Sequence, residues 1–228
     1  PAFGNAAARL FRTRTDYTNS RSFDEFTPRL SISYHPTEDL NLYASWGRGF
    51  KSGGFDMRGD AIFIPSTVDG YEPEIIDSWE LGFKGAFLDR TLFLNAAAFY
   101  SDYRNQQVTI QAVQPPPNVG VASVVDNAGQ ATIYGFELEM RAVPADNLQF
   151  NMAFGYTHAA YNEFLTFIAG GTTPVDVADQ RVFQNTPRYV VNANVTWSNP
   201  LFGGRLDIIP ALALRSEQSM FEIPNALL

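Results

Sequence analysis

Residues 148–157 decide the fold of this chain, because they alternate strictly between large apolar side chains and polar or small ones. They read Leu148-Gln149-Phe150-Asn151-Met152-Ala153-Phe154-Gly155-Tyr156-Thr157. Successive side chains of a β-strand point to opposite faces, so the stretch predicts a strand with one wholly apolar face. Its length is informative too, since a tilted strand needs about nine to eleven residues to cross a lipid bilayer.

The same alternation recurs along most of the chain. It is found in the stretches 28–35, 40–47, 79–87, 133–141, 188–197 and 205–215. No stretch approaches the roughly 18 consecutive apolar residues of a transmembrane helix, so a helical membrane protein is excluded. The pattern predicts an all-β protein of the antiparallel transmembrane β-barrel type, with roughly nine or ten strands in this chain.

The connections between these strands are of two kinds that alternate along the chain. Short turns are predicted at 36–39, 88–90, 144–147 and 198–204, and long polar loops at 51–76, 104–130 and 159–185. Outer-membrane barrels have short turns on the periplasmic side and long loops on the extracellular side. A soluble β-sandwich is the structural alternative, although its loops have no reason to alternate in length.

Tyr and Trp side chains on the apolar face indicate where the membrane surface lies. They fall at the long-loop end of their strands, whereas Tyr34 and Trp197 lie near the short turns. Amphipathic rings prefer the boundary between lipid and water, so one girdle is expected at each surface. The predicted long-loop girdle consists of Trp46, Trp79, Tyr100, Tyr134, Tyr156 and Tyr189.

Composition excludes several classes of function. The formal net charge is -8, which argues against a nucleic-acid partner. There is no Cys, and His35 and His158 are far apart, so neither thiolate chemistry nor a metal site is expected. The Gly-rich stretch 47–54 lacks the glycine that a phosphate-binding loop places directly before its lysine. No catalytic motif is recognised, and an enzyme is the least supported interpretation.

Several sequence blocks resemble the C-terminal barrel of TonB-dependent receptors, especially the iron-complex receptor group. Tyr71-Glu72-Pro73-Glu74 followed by Trp79-Glu80-Leu81-Gly82-Phe83-Lys84 is similar to that family's Y-x-P-E and E-x-G-x-K signature. The stretches 43–54, 95–103, 127–139 and 185–187 are similar to further blocks in the same order. The resemblance covers roughly residues 26–224, while residues 1–12 fit it poorly.

The resemblance implies a barrel of about 22 strands that encloses an N-terminal plug domain. We therefore expect residues 1–228 to form part of such a barrel, without the plug domain, the TonB-binding segment or the C-terminal strands. The implied function is uptake of a bulky nutrient, preferably a ferric siderophore, across the outer membrane of a Gram-negative bacterium. The implied partners are the TonB–ExbB–ExbD complex, the plug domain, the ligand and outer-membrane lipid. Iron would enter only within the transported complex, and no cofactor is expected.

Two groups of candidate site residues follow from this interpretation. Ligand binding in a loop or in the lumen is predicted for Arg48, Lys51, Arg58, Tyr43, Phe99 and Tyr103, since cations attract an anionic chelate and rings stack on it. Contact with a plug domain is predicted for Glu80, Lys84, Glu137, Glu139 and Arg141. The alternatives are that these side chains only fill the wall or face solvent, that the barrel is a passive porin-like channel, or that it is a soluble binding module.

Overall fold

The residues that the structure describes form a single antiparallel sheet of ten strands. The computed structural model describes residues 17–58, 65–114, 120–168 and 173–223. Within these ranges the helical structure consists of 3-10 turns at Pro65–Val68 and Ala178–Gln180. The strands are β1 Arg29–Thr37, β2 Leu40–Lys51, β3 Glu74–Phe87, β4 Leu92–Gln114, β5 Gly120–Ala145, β6 Leu148–Thr166, β7 Val175–Asp176, β8 Tyr189–Leu201, β9 Gly204–Ile208 and β10 Ala211–Arg215.

The strand order is that of an up-and-down barrel wall. It runs β1-β2-β3-β4-β5-β6-β8-β10, with β7 paired to β6 and β9 paired to β8. Strands β9 and β10 pair with successive parts of β8 and are separated by Ile209 and Pro210, so they form two halves of one broken strand. Among the described residues β1 and β10 each have a neighbour on one side only, and the sheet is therefore an open part of a wall. The predicted all-β antiparallel architecture is confirmed.

The two faces of the sheet differ as the alternation predicts. Large apolar side chains on one face stand free of any covering layer among the described residues; Leu81, for example, is 65% exposed. A β-sandwich would bury this face against a second sheet. The sandwich interpretation is therefore wrong, and the apolar face is the one that meets lipid. Also within the described ranges, no helix is long and apolar enough to span a membrane.

The predicted aromatic girdle is confirmed by the strand register. Trp46 is paired with Trp79, Trp79 with Tyr100, and Tyr100 with Tyr134. Tyr156 is paired with Tyr189 on the neighbouring strands. Rings are in contact within two of these pairs, with centroids 5.8 Å apart for Trp79 and Tyr100 and 5.3 Å apart for Tyr156 and Tyr189. We call the six residues the upper girdle, and the strand segments between it and the short turns are the membrane-spanning part.

The short turns are tighter than the sequence indicates. The strands continue into the predicted turns, so that β1 ends at Thr37, β5 at Ala145 and β8 at Leu201. The turn after β3 has left-handed backbone at Leu88, Asp89 and Arg90, with φ of 53°, 53° and 65°. Arg90 Nη1 lies 2.5 Å from Asp39 Oδ1 of the neighbouring turn, so an exposed ion pair connects the two turns.

One of the three predicted long loops, 104–130, is largely strand, and a second, 159–185, begins as strand, which corrects the sequence interpretation. Strands β4 and β5 continue far past the upper girdle as a hairpin, and β6 continues to Thr166 beside them. The strands extend this far because a small hydrophobic core lies on the inner side of the extension. The alternation expected of membrane-spanning strands does not reveal such a core. Loop residues after β6 cover it, and it contains Val108, Ile110, Val124, Ala128, Phe164 and Val177.

Candidate functional site

The most developed polar site lies on the inner face at the long-loop rim. Its centre is the Glu74 side chain at the start of β3, which is only 6% exposed. Tyr103 Oη donates a hydrogen bond of 2.7 Å to Glu74 Oε1, and the Gln107 backbone N–H donates one of 2.7 Å to Oε2. Lys51 Nζ lies 3.3 Å from Glu74 Oε1. We call Lys51, Glu74, Tyr103 and Gln107 the inner rim cluster.

The buried carboxylate explains the chemistry of its neighbours. Burial, followed by the hydrogen bond to Glu74, raises the pKa of Tyr103, so the phenol remains a donor at all physiological pH values. The Lys51 side chain is 63% exposed, so that its ammonium group both pairs with Glu74 and faces the solvent inside the rim. The cluster therefore presents one cation and one phenol on a rigid carboxylate support.

Two of the sequence blocks quoted above contact each other beside this cluster. Asn127 Oδ1 accepts a hydrogen bond from the Glu72 backbone N–H at 2.6 Å, and Asn127 Nδ2 donates to Glu72 O at 2.8 Å. Asn127 Nδ2 also donates to the carbonyl of Asn105, a residue with left-handed backbone at a bulge in β4. Gln107 Nε2 donates to Ser52 O and Glu72 O. These side chains attach the loop between β2 and β3 to the extended hairpin.

A second buried carboxylate attaches the same loop at another point. Asp56 is 8% exposed and accepts bonds of 3.0 Å from Arg58 Nε and Nη2 and a bond of 2.8 Å from the Val125 N–H. Burial alone would raise the pKa of Asp56, but the bonds from Arg58 and from the Val125 amide outweigh it and lower that pKa. The contact between this loop and β5 therefore depends on a charged Asp56.

Acidification should loosen this contact. Because the folded pKa of Asp56 is below its ordinary value of 3.8, its stabilisation is present above that value and is lost as the pH falls through the folded pKa. We expect the protection of the Val125 amide against hydrogen exchange to fall below about pH 4 in the intact protein. In Asp56→Asn that protection should already be low at neutral pH and no longer depend on pH. Unchanged protection in the variant would contradict the assignment.

A cluster of aromatic side chains that the sequence did not reveal lies further along the inner face. The rings of Tyr161 and Phe183 are stacked with centroids 4.5 Å apart, and Tyr161 meets Phe164 edge-on at 5.1 Å. The guanidinium of Arg181 lies 5.1 Å from the Phe164 ring centroid. Burial, followed by the nearby Glu222 carboxylate, raises the pKa of Tyr161 to about 12. A cleft of about 600 Å³ lies close by, lined by Gln107, Val108, Thr109, Gln184 and Phe221–Ile223.

The structure separates the three cations that the sequence grouped as ligand-binding. Lys51 faces inward in the inner rim cluster, and Arg58 is paired with Asp56 in the loop. Arg48 shares its strand face with Trp46 of the upper girdle, and its guanidinium is paired bidentately with Asp77 at 2.9 Å. The expectation that Arg48 lies in the lumen or a ligand-binding loop is therefore wrong: it points to the lipid side of the wall.

The candidate rings Tyr43 and Phe99 lie on the inner wall, below the upper girdle. Each covers a glycine of the neighbouring strand: Tyr43 is paired with Gly82, and Phe99 with Gly135. A Cβ atom at Gly82 would come within 2.6 Å of Tyr43 Cζ, and one at Gly135 within 2.8 Å of Phe99 Cζ. Both rings are thus wall packing in this structure, and ligand contact by them stays a prediction.

The predicted plug-facing residues share the inner face. The register pairs Lys84 with Asn95 and Asn95 with Glu139, and Asn95 Nδ2 donates to Glu139 Oε2 at 3.2 Å. Arg141 donates to Gln149 Oε1 at 3.4 Å. Glu80 and Glu137 lie nearer the upper girdle. In the part of the chain that the structure describes, no three His, Asp or Glu side chains converge as metal ligands.

Comparison with protein families gives a match along nearly the whole chain. Residues 4–218 match the family described as "TonB dependent receptor-like, beta-barrel". The match begins at residue 4, so it includes most of the stretch 1–12, and the expectation that this stretch fits the family poorly is wrong for residues 4–12. Residues 1–16 lie outside the described part of the structure.

Curated proteins and solved structures give the same picture. The chain is 28% identical over 144 residues to the probable TonB-dependent siderophore receptor PiuA of Acinetobacter baumannii, covering 62% of this chain and 18% of PiuA. It is 30% identical over 155 residues to the metal-pseudopaline receptor CntO of Pseudomonas aeruginosa, covering 67% of this chain and 20% of CntO. The fold is similar to the ferric yersiniabactin uptake receptor FyuA of Yersinia pestis, with a TM-score of 0.57, 20% identity and coverage of 82% of this chain and 25% of FyuA. The chain thus spans about a fifth of the length of the curated relatives that it matches.

Proposed function

Because the chain belongs to the TonB-dependent receptor-like β-barrel family, we propose that it forms part of a receptor that takes up a ferric siderophore or a similar metal chelate. It is part of an outer-membrane β-barrel of a Gram-negative bacterium. The substrate proposal is supported by the two curated relatives, which are named as a siderophore receptor and a metal-pseudopaline receptor. Energy from the TonB–ExbB–ExbD complex and a plug domain in the lumen are parts of the same proposal.

The observation that carries this proposal is the combination of an apolar outer face with a structured inner rim. The outer face is left uncovered for lipid, whereas at the rim a buried Glu74 orients Lys51 and Tyr103 inward. The Lys51 ammonium is suited to an anionic chelate with oxygen donors, because it donates hydrogen bonds and adds electrostatic attraction. The Tyr103 hydroxyl is already donated to Glu74, so this residue offers its ring to the chelate. The stacked pair of Tyr161 and Phe183 adds apolar area beside them. None of this requires catalysis, and we propose that the protein is not an enzyme.

Uptake measurements test the proposal. Cells with and without the intact gene would be supplied with a panel of radiolabelled ferric siderophores of the catecholate, hydroxamate and carboxylate classes. At least one should accumulate in a gene-dependent manner, and its accumulation should stop when TonB is deleted. A passive porin-like channel would instead transport the ligand with equal efficiency in cells that lack TonB. Absence of gene-dependent uptake of any metal chelate would contradict the proposed substrate class.

The Glu74→Gln variant should weaken ligand binding without preventing assembly. A glutamine at this position offers one carbonyl to the Tyr103 phenol and the Gln107 N–H, and it loses the ion pair with Lys51. A poorly satisfied buried group costs about 1–3 kcal/mol, so we expect a roughly tenfold weaker apparent affinity for the transported chelate. The matched control is Glu163→Gln, since Glu163 is at a similar height in β6 and is paired with Gln130. Equal affinities of the two variants would contradict a role for the inner rim cluster.

Contact between the inner wall and a plug domain can be tested in the intact receptor. We propose that Glu80, Lys84 and Arg141 form polar contacts with that domain, because they share the inner face and keep exposed surface there. Their combined replacement by Gln should increase hydrogen exchange in the plug. Plug protection that stays at the wild-type level would show that these side chains only line the lumen.

A further inference from the structure

An ion network lies on the lipid side of the wall, directly above the upper girdle. Asp77 is only 6% exposed, because two arginines enclose its carboxylate. Arg48 binds it bidentately at 2.9 Å, and Arg104 Nη2 binds the same Oδ2 atom that Arg48 Nη2 contacts. Two guanidinium groups are thus held side by side by one buried carboxylate, and they keep 34% and 42% of their side-chain surface exposed.

The register fixes the height and direction of this network. Arg48 and Asp77 are paired with each other one step beyond the pair Trp46 and Trp79 on the same face. Asp102 and Arg104 likewise follow Tyr100 on the outer face of β4. Since the upper girdle marks the boundary between lipid and water, side chains one or two steps beyond it lie at the height of the lipid headgroups. There the dominant anion is phosphate.

Below the network, the outer face has a trough along β4. Ala96 and Ala98 form its floor, because their side chains are much smaller than those of the neighbouring strands. Leu81 and Phe136, which are register partners of Ala98, form walls that are 65% and 46% exposed. The trough has a volume of about 630 Å³. Ala98 and Arg104 are separated by about 20 Å along β4, with Tyr100 and Asp102 between them on the outer face, so the trough and Arg104 lie on one line. Arg48 reaches the same network from β2.

We propose that this line is a binding site for a phosphorylated, acylated lipid of the outer leaflet, with its phosphate on Arg48 and Arg104 and one acyl chain over Ala96 and Ala98. The two ends of the site fit the two ends of such a lipid. Guanidinium groups recognise phosphate oxygens through several charge-assisted hydrogen bonds. An apolar trough at membrane depth excludes water and is complementary to an acyl chain.

Arg48 and Arg104 are balanced in formal charge by Asp77 and Asp102, so the support for phosphate as the anion comes from the exposed surface of the two guanidinium groups. Asp77 is buried beneath the two guanidinium groups and orients them through its carboxylate. A lipid headgroup would therefore contact the arginines and not Asp77. Asp102 Oδ2 lies 3.3 Å from Arg104 Nε, and Nη2 contacts Asp77, so Nη1 is the terminal nitrogen of Arg104 that neither carboxylate contacts. Asp77 is thus a positioning residue, which holds the two cations close enough to chelate one phosphate group. The proposal concerns the outer wall and does not depend on which nutrient is transported.

Native mass spectrometry of the intact receptor in detergent tests the proposal, with lipid A, dephosphorylated lipid A and inorganic phosphate as probes. The Arg104→Gln variant keeps the bidentate pair of Arg48 with Asp77, and it should retain lipid A about tenfold less well than the wild type. Ala98→Phe fills the trough and should reduce retention severalfold while leaving both arginines intact. Arg90→Gln is the matched control, because Arg90 is also exposed and ion-paired but lies at the opposite rim.

The three probes separate the source of the phosphate. Dephosphorylated lipid A should bind about tenfold more weakly than lipid A, and millimolar inorganic phosphate should fail to displace the lipid. Equal retention by Arg104→Gln and Arg90→Gln would overturn the headgroup assignment, and equal retention by Ala98→Phe and the wild type would overturn the acyl-chain assignment. Displacement of the lipid by phosphate alone would show a free-anion site and not a lipid site. Correct assembly of each variant is verified by its heat-modifiable gel shift.

Discussion

Replacing Gly135 by valine should abolish assembly of the barrel. Gly135 lies on the inner face of β5, between Phe99 of β4 and Thr157 of β6. A Cβ atom at this position would come within 2.0 Å of the Tyr156 carbonyl oxygen and within 2.8 Å of the Phe99 ring. The first contact involves backbone, so only a displacement of β6 itself could relieve it. Such overpacking typically costs about 1–3 kcal/mol, and we expect the upper end or more here.

The neighbouring strand offers a matched control for this prediction. Gly155 is also an inner-face glycine, and a Cβ atom built there meets no other heavy atom within 4 Å. Gly155→Val should therefore assemble like the wild type, while Gly135→Val should be nearly absent from the outer-membrane fraction. The measurement is the amount of heat-modifiable receptor in that fraction, with unfolded protein quantified in parallel. Comparable assembly of the two variants would show that β5 and β6 can separate at this point without loss of the fold.

The membrane-spanning part of the wall was predictable because its residues obey one simple rule. Every strand there has lipid on one side, so the apolar side chains must alternate, and a single strand such as 148–157 already shows the pattern. The rings of the upper girdle could be assigned to one height before any pairing was known, because they occur at the same end of each strand. The register of Trp46, Trp79, Tyr100 and Tyr134 then confirms this assignment.

The extended hairpin could not be predicted in this way, because no membrane dictates its pattern. Beyond the membrane surface no lipid faces the strands. As in a soluble protein, a few residues there are buried by segments that are distant in sequence. Val108 lies in β4 and Val124 in β5, whereas Phe164 and Val177, which complete their core, come from the end of β6 and from the segment after β7. Alternation over 107–113 was the available signal, and Gln, Thr and Ala within it made the segment look like a polar loop.

The candidate site was predictable in its residue types more than in its geometry. The outward direction of Arg48 follows from parity with Trp46 and could have been read from the sequence. By contrast, the burial of Glu74 and Asp56 depends on the bulge in β4 and on how the loop after β2 meets β5. Each carboxylate fixes the position of a neighbouring cation: Glu74 pairs with Lys51, and Asp56 pairs with Arg58. A sequence shows the cations but does not show which carboxylate holds each of them.

An arginine should be strongly destabilising at Ala96 and well tolerated at Ala97. These adjacent residues of β4 point to opposite faces: Ala96 is paired with Phe83 and Leu138 on the lipid side, and Ala97 with Gly82 and Glu137 on the inner side. Ala96 lies midway between Leu92 and Tyr100, near the centre of the bilayer. An arginine facing lipid at that depth costs about 2–4 kcal/mol. At Ala97 the same side chain reaches water in the lumen and the Glu137 carboxylate.

The two variants differ only in the face of the wall that carries the arginine, because residue type, strand and substitution are the same in both. Unfolding of the intact receptor by guanidinium in lipid vesicles should give a free energy of unfolding about 2–4 kcal/mol lower for Ala96→Arg than for Ala97→Arg. The gap should narrow in a thinner bilayer, because the guanidinium can then reach the headgroups more easily. Equal stability of both variants would mean that neither face meets hydrocarbon, and the orientation of the wall derived from its exposed apolar face would fail.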